Sequence, residues 1–272
     1  PMLLAQITDL HMRDDETPLS GRLVTRPFSA RAIDALAAIA PDAVVVTGDL
    51  TDIGTPCEYA LLRRELDRLA MPVHVIPGNH DRHDAFRDAF EDHAYLPAEG
   101  PMNWVIEGPL RIVGLDSVVP GHGHGLLARE TLAWLDATLA TDPRPAIVAL
   151  HHPPFPTGIA AMDRIGCLNG AEMAEVIARH PQVERVIAGH HHRAVQVRWA
   201  GTIGQICPAV AHQVALSFED RPMPEWTLEP PAMLLHRFAP ETGVITHHAY
   251  IDVFDGPHPF ALDPDYPGKG SI

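Results

Sequence analysis

Residues 43–52 read Ala43-Val44-Val45-Val46-Thr47-Gly48-Asp49-Leu50-Thr51-Asp52. The first five are apolar or β-branched without alternation, the pattern of a short strand buried on both faces. The polar group comes at once. Gly48 allows a sharp turn. Asp49 and Asp52 then stand outside the carboxyl end of the strand, where ligands collect in open α/β sheets.

Working outward, the same rhythm repeats. Leu3–Thr8 is a short apolar run, and Ala30–Ala40 has helical spacing that ends at Pro41. Cys57–Ala70 is amphipathic with Pro56 at its start, Val73–Ile76 reads as a strand, and His83–Glu91 as a short helix. Strands come next near Trp104–Ile106, Arg111–Asp116, Ala146–Leu150 and Val183–Ala188, with helices at Arg129–Ala140 and Ala171–Arg179. Such alternation predicts an α/β fold built from βαβ units with a largely parallel sheet. Beyond Arg193 the chain turns strand-like, at Val195–Trp199, Gly204–Ile206, Gln213–Phe218, Ala232–Phe238 and Val244–Ile251, with the proline-rich stretch Arg221–Pro231 between two of them. We see no repeat and no low-complexity linker. One domain over residues 1–272 is expected, with the strands and Pro-rich tail of 193–272 as a cap or an oligomer interface.

Composition narrows the partners. An apolar share of 46% suits a sizeable core, and no apolar run approaches the roughly 18 residues that would span a bilayer. The first residues read as a strand and not as a secretion signal, so a cytoplasmic location and no membrane partner are expected. Three scattered cysteines, Cys57, Cys167 and Cys207, argue against a disulfide framework and a thiolate metal site. A formal charge of −15 makes a nucleic-acid polymer a poor partner, while a small phosphate ester stays compatible if metal ions supply local positive charge.

Eighteen histidines are many for this length, and several fall just after strands. Leu3–Thr8 is followed by Asp9-Leu10-His11, and Val73–Ile76 by Gly78-Asn79-His80-Asp81. Ala146–Leu150 leads into His151-His152-Pro153-Pro154, and Val183–Ala188 into Gly189-His190-His191-His192. Five strand ends thus carry Asp, Asn or His, the oxygen and imidazole ligands of Zn, Mn, Fe or Co. Extended backbone would put Asp9 with His11, and His190 with His192, on one side, and would turn His152 and His191 away. Glycines 48, 78 and 189 would allow close approach. Singly, each group has a plainer reading. An Asp after a strand also serves as a turn or helix cap, as Asp52 would ahead of Cys57–Ala70. Asp81 reads as a turn-stabilising carboxylate. His180 suits a helix C-terminus. The loop Gly121-His122-Gly123-His124-Gly125 is either an idle surface loop or a mobile lid.

The ordered set D-x-H, G-D-x-x-D, G-N-H-D, H-x-P and G-H-x-H, over residues 9–192, resembles the calcineurin-like metallophosphoesterases. That resemblance implies a four-layer αββα sandwich with cap or lid insertions. It assigns one metal to Asp9, His11, Asp49 and His192, and the other to Asp49, Asn79, His151 and His190, with Asp49 as the bridge. His80 becomes the catalytic donor to the leaving alkoxide or the phosphoryl oxygens, and Asp52 its orienting carboxylate. The pair His151-His152-Pro153-Pro154, Met162-Asp163, Asn169-Gly170, His212-Gln213-Val214 and Leu234-Leu235-His236-Arg237 look like the bacterial glycerophosphodiesterase branch, within the class III cyclic-nucleotide phosphodiesterases. This closer resemblance implies hydrolysis of small phosphodiesters by metal-activated hydroxide in a homo-oligomer, with two divalent or mixed-valence ions (Mn, Fe, Zn or Co). His212 would line the pocket. Competing readings are a cyclic-nucleotide phosphodiesterase, a phosphomonoesterase and a non-catalytic metal-binding scaffold.

Overall fold

The computed structural model describes residues 1–14, 17–259 and 265–268. Its elements run β1 (Met2–Ile7), α1 (Arg26–Ile39), β2 (Ala43–Thr47), α2 (Pro56–Leu66), β3 (Val73–Ile76) and α3 (His83–Ala89). The second half continues with β4 (Trp104–Ile106), β5 (Arg111–Gly114), α4 (Arg129–Ala140), β6 (Ala146–Ala149), α5 (Ala160–Asp163), α6 (Gly170–Ile177) and β7 (Val183–Ala188). Then come β8 (Val195–Trp199), β9 (Thr202–Ile206), β10 (Gln213–Val214), β11 (Trp226–Thr227), β12 (Ala232–Ala239) and β13 (Gly243–Tyr250).

These strands form two large sheets, ordered β13-β12-β1-β2-β3 and β4-β5-β6-β7-β9-β8, and a ribbon of β10 with β11. The pairs β1–β2, β2–β3, β5–β6, β6–β7 and β7–β9 are parallel; β1–β12, β12–β13, β4–β5 and β8–β9 are antiparallel. The period-2 alternation of the strands sorts their side chains into layers. Ala5, Ile7, Val44, Val46 and Val75 face a core shared with α1, α2 and α3. Their neighbours Leu4, Val45 and Ile76 face the other way and meet Ile112, Ile147 and Ile187 of the second sheet. On that sheet's far side, Val113, Val148 and Val186 pack against α4 and α6. The order helix, sheet, sheet, helix is the αββα sandwich, and the strands read as continuously apolar because both faces are covered.

Element boundaries depart from the sequence reading where a local signal outweighs periodicity. α1 begins at Arg26, four residues early, because Pro27 fits the first turn of a helix. α2 stops at Leu66, and its cap is Thr55, whose side chain accepts the Glu58 N–H while the Glu58 carboxylate accepts the Thr55 N–H. Asp52 is therefore not the helix cap. The strand expected over Gln213–Phe218 shortens to β10, since only Gln213 and Val214 find partners on β11. β11 itself lies in the proline-rich stretch, where the sequence predicts no strand. Among the described residues no helix is long and apolar enough to cross a membrane.

Thr55→Ala removes one reciprocal cap, so urea denaturation is expected to show a loss of about 1 kcal/mol with bound-metal content unchanged.

Candidate metal centre

The five polar groups gather at one end of the sandwich, where the parallel strands of both sheets finish. Asp9 and His11 lie just past β1, Asp49 past β2, Asn79 and His80 past β3, His151 past β6, and His190 and His192 past β7. The convergence does not come from extended backbone. Asp9, His11, Asp49, His190 and His192 have φ of 54°, 43°, 48°, 67° and 48°, the left-handed region that residues with a Cβ seldom enter. Each such residue costs about 1–3 kcal/mol and persists only when its surroundings dictate it. Here they do. Asp9 N–H donates to Gly48 O at 3.1 Å and His11 N–H to Asp49 O at 3.0 Å, while the Asp9 carboxylate accepts His190 N–H at 3.0 Å. Two glycines make the approach possible. A Cβ at Gly78 would lie 2.2 Å from Asp49 Oδ1, and one at Gly189 would lie 2.0 Å from Thr8 Oγ1.

Asp49 sits between two sets of donors. Its Oδ2 lies 3.6 Å from His11 Nε2 and 3.3 Å from His151 Nε2, and its Oδ1 accepts His80 N–H at 2.9 Å. On one side, Asp9 Oδ1 is 3.2 Å from His192 Nε2, which is 3.3 Å from His11 Nε2. On the other, Asn79 Oδ1 is 3.1 Å from His151 Nε2. Asp9, His11, Asp49 and His192 bring one donor atom each within 4.8 Å of one another, and His151, His152 and His190 do the same.

The imidazoles are held with defined tautomers. His151 Nδ1–H donates to Thr47 O at 2.8 Å, His192 Nδ1–H to His212 O at 2.9 Å, and His190 Nε2–H to Ile165 O at 2.9 Å. His11 Nδ1 lies 3.2 Å from the Asp52 carboxylate. Each ring therefore has one nitrogen committed as a donor, which leaves the lone pair of the other for a metal. Four such imidazoles, two buried carboxylates and an amide oxygen fit a pair of divalent cations held by nitrogen and oxygen, with no thiolate among them.

Electrostatics point the same way. Burial alone would raise the carboxyls of Asp9 and Asp49, yet His192 holds Asp9 down and His151 and His80 hold Asp49 well down. The reciprocal effect is that burial pushes the His151 imidazole down but Asp49 lifts it to about 9. For His190, burial and then His152 keep the ring far below its ordinary value, so it stays neutral.

Other residues take roles that the sequence leaves open or hides. The Asp52 carboxylate spends its short contacts on His11 and on Arg13, whose Nη1 donates at 2.9 Å; His80 Nδ1–H donates instead to the Asp52 backbone carbonyl at 2.7 Å, with the carboxylate 3.5 Å away. Arg13 belongs to no motif, and no signal in the sequence singles it out. His152 does not turn away: its ring lies 4.8 Å from that of His151 and 4.6 Å from that of His190, with Nδ1 2.9 Å from Ser117 Oγ. His191 does turn into the protein, where it is fully buried. Asp81 is a loop staple that accepts from Gly78 N–H, Leu50 N–H, Thr51 Oγ1 and Tyr59 OH. His180 pairs with Asp136 at 2.7 Å, far from this end. The His212 ring packs 4.5 Å from that of His192. A cavity of about 760 Å³ opens beside Asn79 and His80, and His122 of the glycine-flanked loop lines its far wall.

This chain belongs to the calcineurin-like phosphoesterase family, whose model matches residues 2–194. It is 38% identical over 235 residues to a protein of Arcobacter nitrofigilis named "Probable glycerophosphodiester phosphodiesterase GpdQ", covering 85% of this chain and 84% of that one. It is 32% identical over 205 residues to the 3',5'-cyclic adenosine monophosphate phosphodiesterase CpdA of Escherichia coli, covering 73% and 72%. In fold it is similar to a dimetal phosphatase from Danio rerio, with a TM-score of 0.62 at 16% identity over 92% of this chain and 99% of that one.

A proton on His151 competes with a cation for Nε2. Affinity for Mn²⁺ is therefore expected to rise with pH up to about 9, roughly tenfold per unit for each proton displaced, and to level off above it. Competition against a chromophoric chelator from pH 6.5 to 9.5 measures this; a flat profile removes His151 from the ligand set. Asp49→Ala is expected to leave fewer than two ions per chain in elemental analysis.

Proposed function

We propose that the chain hydrolyses small phosphodiesters, of the glycerophosphodiester kind, at a two-metal centre. The observation that carries this reading is the shared Asp49 carboxylate set between two groups of histidines whose free lone pairs face inward. Asp9, His11, Asp49 and His192 would hold one cation, and Asp49, Asn79, His151 and His190 the other. Bound cations supply Lewis acidity toward phosphoryl oxygens and lower the pKa of water toward about 7.

The chain's own groups do the rest. In hydrolysis the water oxygen forms the new P–O bond, and the alcohol oxygen departs with its electron pair and takes up a proton. His80 is placed to give that proton. Its Nδ1–H is held by the Asp52 carbonyl, which leaves Nε2 free beside the cavity. Burial lowers the ring's pKa, but Asp49 and then Asp52 lift it to about 10. The Asp52 carboxylate orients His11, with Arg13 fixing its other oxygen. The named activity of the Arcobacter relative supports a glycerophosphodiester; that of the Escherichia coli relative supports a cyclic nucleotide as the second reading.

The mixed nitrogen and oxygen donors suit Mn, Fe, Zn or Co. Residues 1–272 act as one catalytic unit in this reading. The exposed apolar side chains of Leu216, Phe218, Met223 and Leu228 support a homo-oligomer interface in the C-terminal region. Three free thiols are consistent with a cytoplasmic enzyme.

Two experiments test the mechanism. Chelation is expected to abolish hydrolysis of bis-p-nitrophenyl phosphate and Mn²⁺ to restore it; activity that survives chelation refutes the metal reading. His80→Ala is expected to keep both ions while kcat falls about 10²–10⁴-fold; loss of metal would place His80 among the ligands.

A further inference from the structure

The cavity beside the metal centre carries one guanidinium that the proposed reaction leaves unused. It runs from Asn79 and His80, past Arg82, to Pro120 and His122 on the opposite loop. At about 760 Å³ it falls within the range of sites that enclose drug-sized ligands, so it can hold more than the scissile phosphate.

The other charged groups along its wall are engaged. Asp52 is tied to His11 and Arg13, and Asp81 to the loops it staples. His83 Nε2 lies 3.1 Å from Asp116 Oδ2, and Asp84 Oδ1 accepts Ala85 N–H at 2.8 Å. Arg82 differs. It is exposed, and its guanidinium has no hydrogen-bond or ion-pair partner among the described residues. Its base is nonetheless fixed: a Cβ on Gly54 would lie 2.6 Å from Arg82 Cγ and 2.9 Å from Arg82 N, so the stem rests directly on the Gly54 backbone.

We propose that Arg82 is a specificity-determining residue, whose guanidinium binds a second anionic group, phosphate or carboxylate, on one arm of the diester. This rests on the diester reading above. A guanidinium presents paired N–H donors that match either oxyanion. The need for it arises from the net charge of −15, which repels an anionic substrate at long range; the metal centre serves the scissile phosphate, and Arg82 offsets the repulsion felt by a second anion at the cavity mouth.

The test uses the metal-loaded protein with three probes: glycerophosphocholine (cationic arm), glycerophosphoinositol (neutral arm) and glycerophosphoinositol 4-phosphate (anionic arm). Phosphorus NMR reports cleavage on either side of the diester. In about 50 mM salt, kcat/KM is expected to be about tenfold higher for the anionic arm than for the neutral one, with the cationic arm lowest. Raising salt to about 500 mM should shrink the ratio, because the guanidinium is exposed. Arg82→Gln should bring the anionic-to-neutral ratio within about twofold, and Arg82→Lys should retain an intermediate value. Because the readout is a ratio, partial loss of overall activity does not obscure it. Equal rates for all three arms in the unaltered protein, or an undiminished ratio in Arg82→Gln, overturns the role of Arg82 and leaves diester hydrolysis standing. Failure to cleave any of the three sinks the glycerophosphodiester reading and this inference with it.

Discussion

A buried carboxylate is the constraint on which the site turns. Asp49 is 2% exposed and Asp9 fully buried, and two carboxylates so close cannot stay ionised in a protein interior without nearby positive charge. The surrounding imidazoles answer that demand by binding protons, as the raised His151 and His192 do, or by leaving lone pairs for cations. Protons and divalent ions are thus alternative sources of the same compensation.

That constraint explains why both sheets are needed. Asp9, Asp49 and Asn79 come from one sheet, and His151, His190 and His192 from the other. Gln6 ties the two: its amide donates to Thr47 Oγ1 on β2 and to Ala188 O on β7, and its carbonyl oxygen accepts His236 Nε2–H from β12. Burial pushes the His236 imidazole down to about 3, so it is neutral and fit for that bond. Gln6 bonds the Thr47 side chain, and the Thr47 backbone carbonyl accepts His151 Nδ1–H, so the tie between the sheets ends on the imidazole whose Nε2 faces Asp49.

Much of this is legible in the residues. Continuous apolar strands ending in Asp, Asn or His place the donors at one end of an α/β sandwich, and Gly78 and Gly189 mark where backbone must approach closely. Sequence alone does not supply the local conformation at those ends. Treating Asp9-Leu10-His11 and His190-His191-His192 as extended gives the right convergence for the wrong reason, because the left-handed φ values are imposed by hydrogen bonds from other loops. The same assumption misplaces His152. Asp52 is legible as polar and close to the histidines; its contact with Arg13 is not, because Arg13 has no motif of its own, while the helix cap is signalled by Thr55 and Glu58. Residues 216–218 read as strand because propensity ignores whether a partner strand exists; past the Ala215 N–H to Glu225 O bond, Leu216 and Phe218 are 53% and 76% exposed.

The division of labour across the site reflects where strain can be tolerated. The backbones of Asp9, His11, Asp49, His151 and His190 are each bonded to another strand end. The wall that faces the cavity is built differently. Residues Val118 and Gly125 pair at the base of a loop whose base also bonds to Gly166 and Leu168, while Pro120, Gly121 and His122 at its tip stand free of that framework. Arg82 sits on the opposite side with extended backbone, immediately before α3 and outside the ring of left-handed residues. Side chains at the tip and at position 82 can therefore change without moving the carboxylates or the imidazoles. The proposed cation donors thus lie where strand ends are bonded to one another, and Arg82 lies outside that framework.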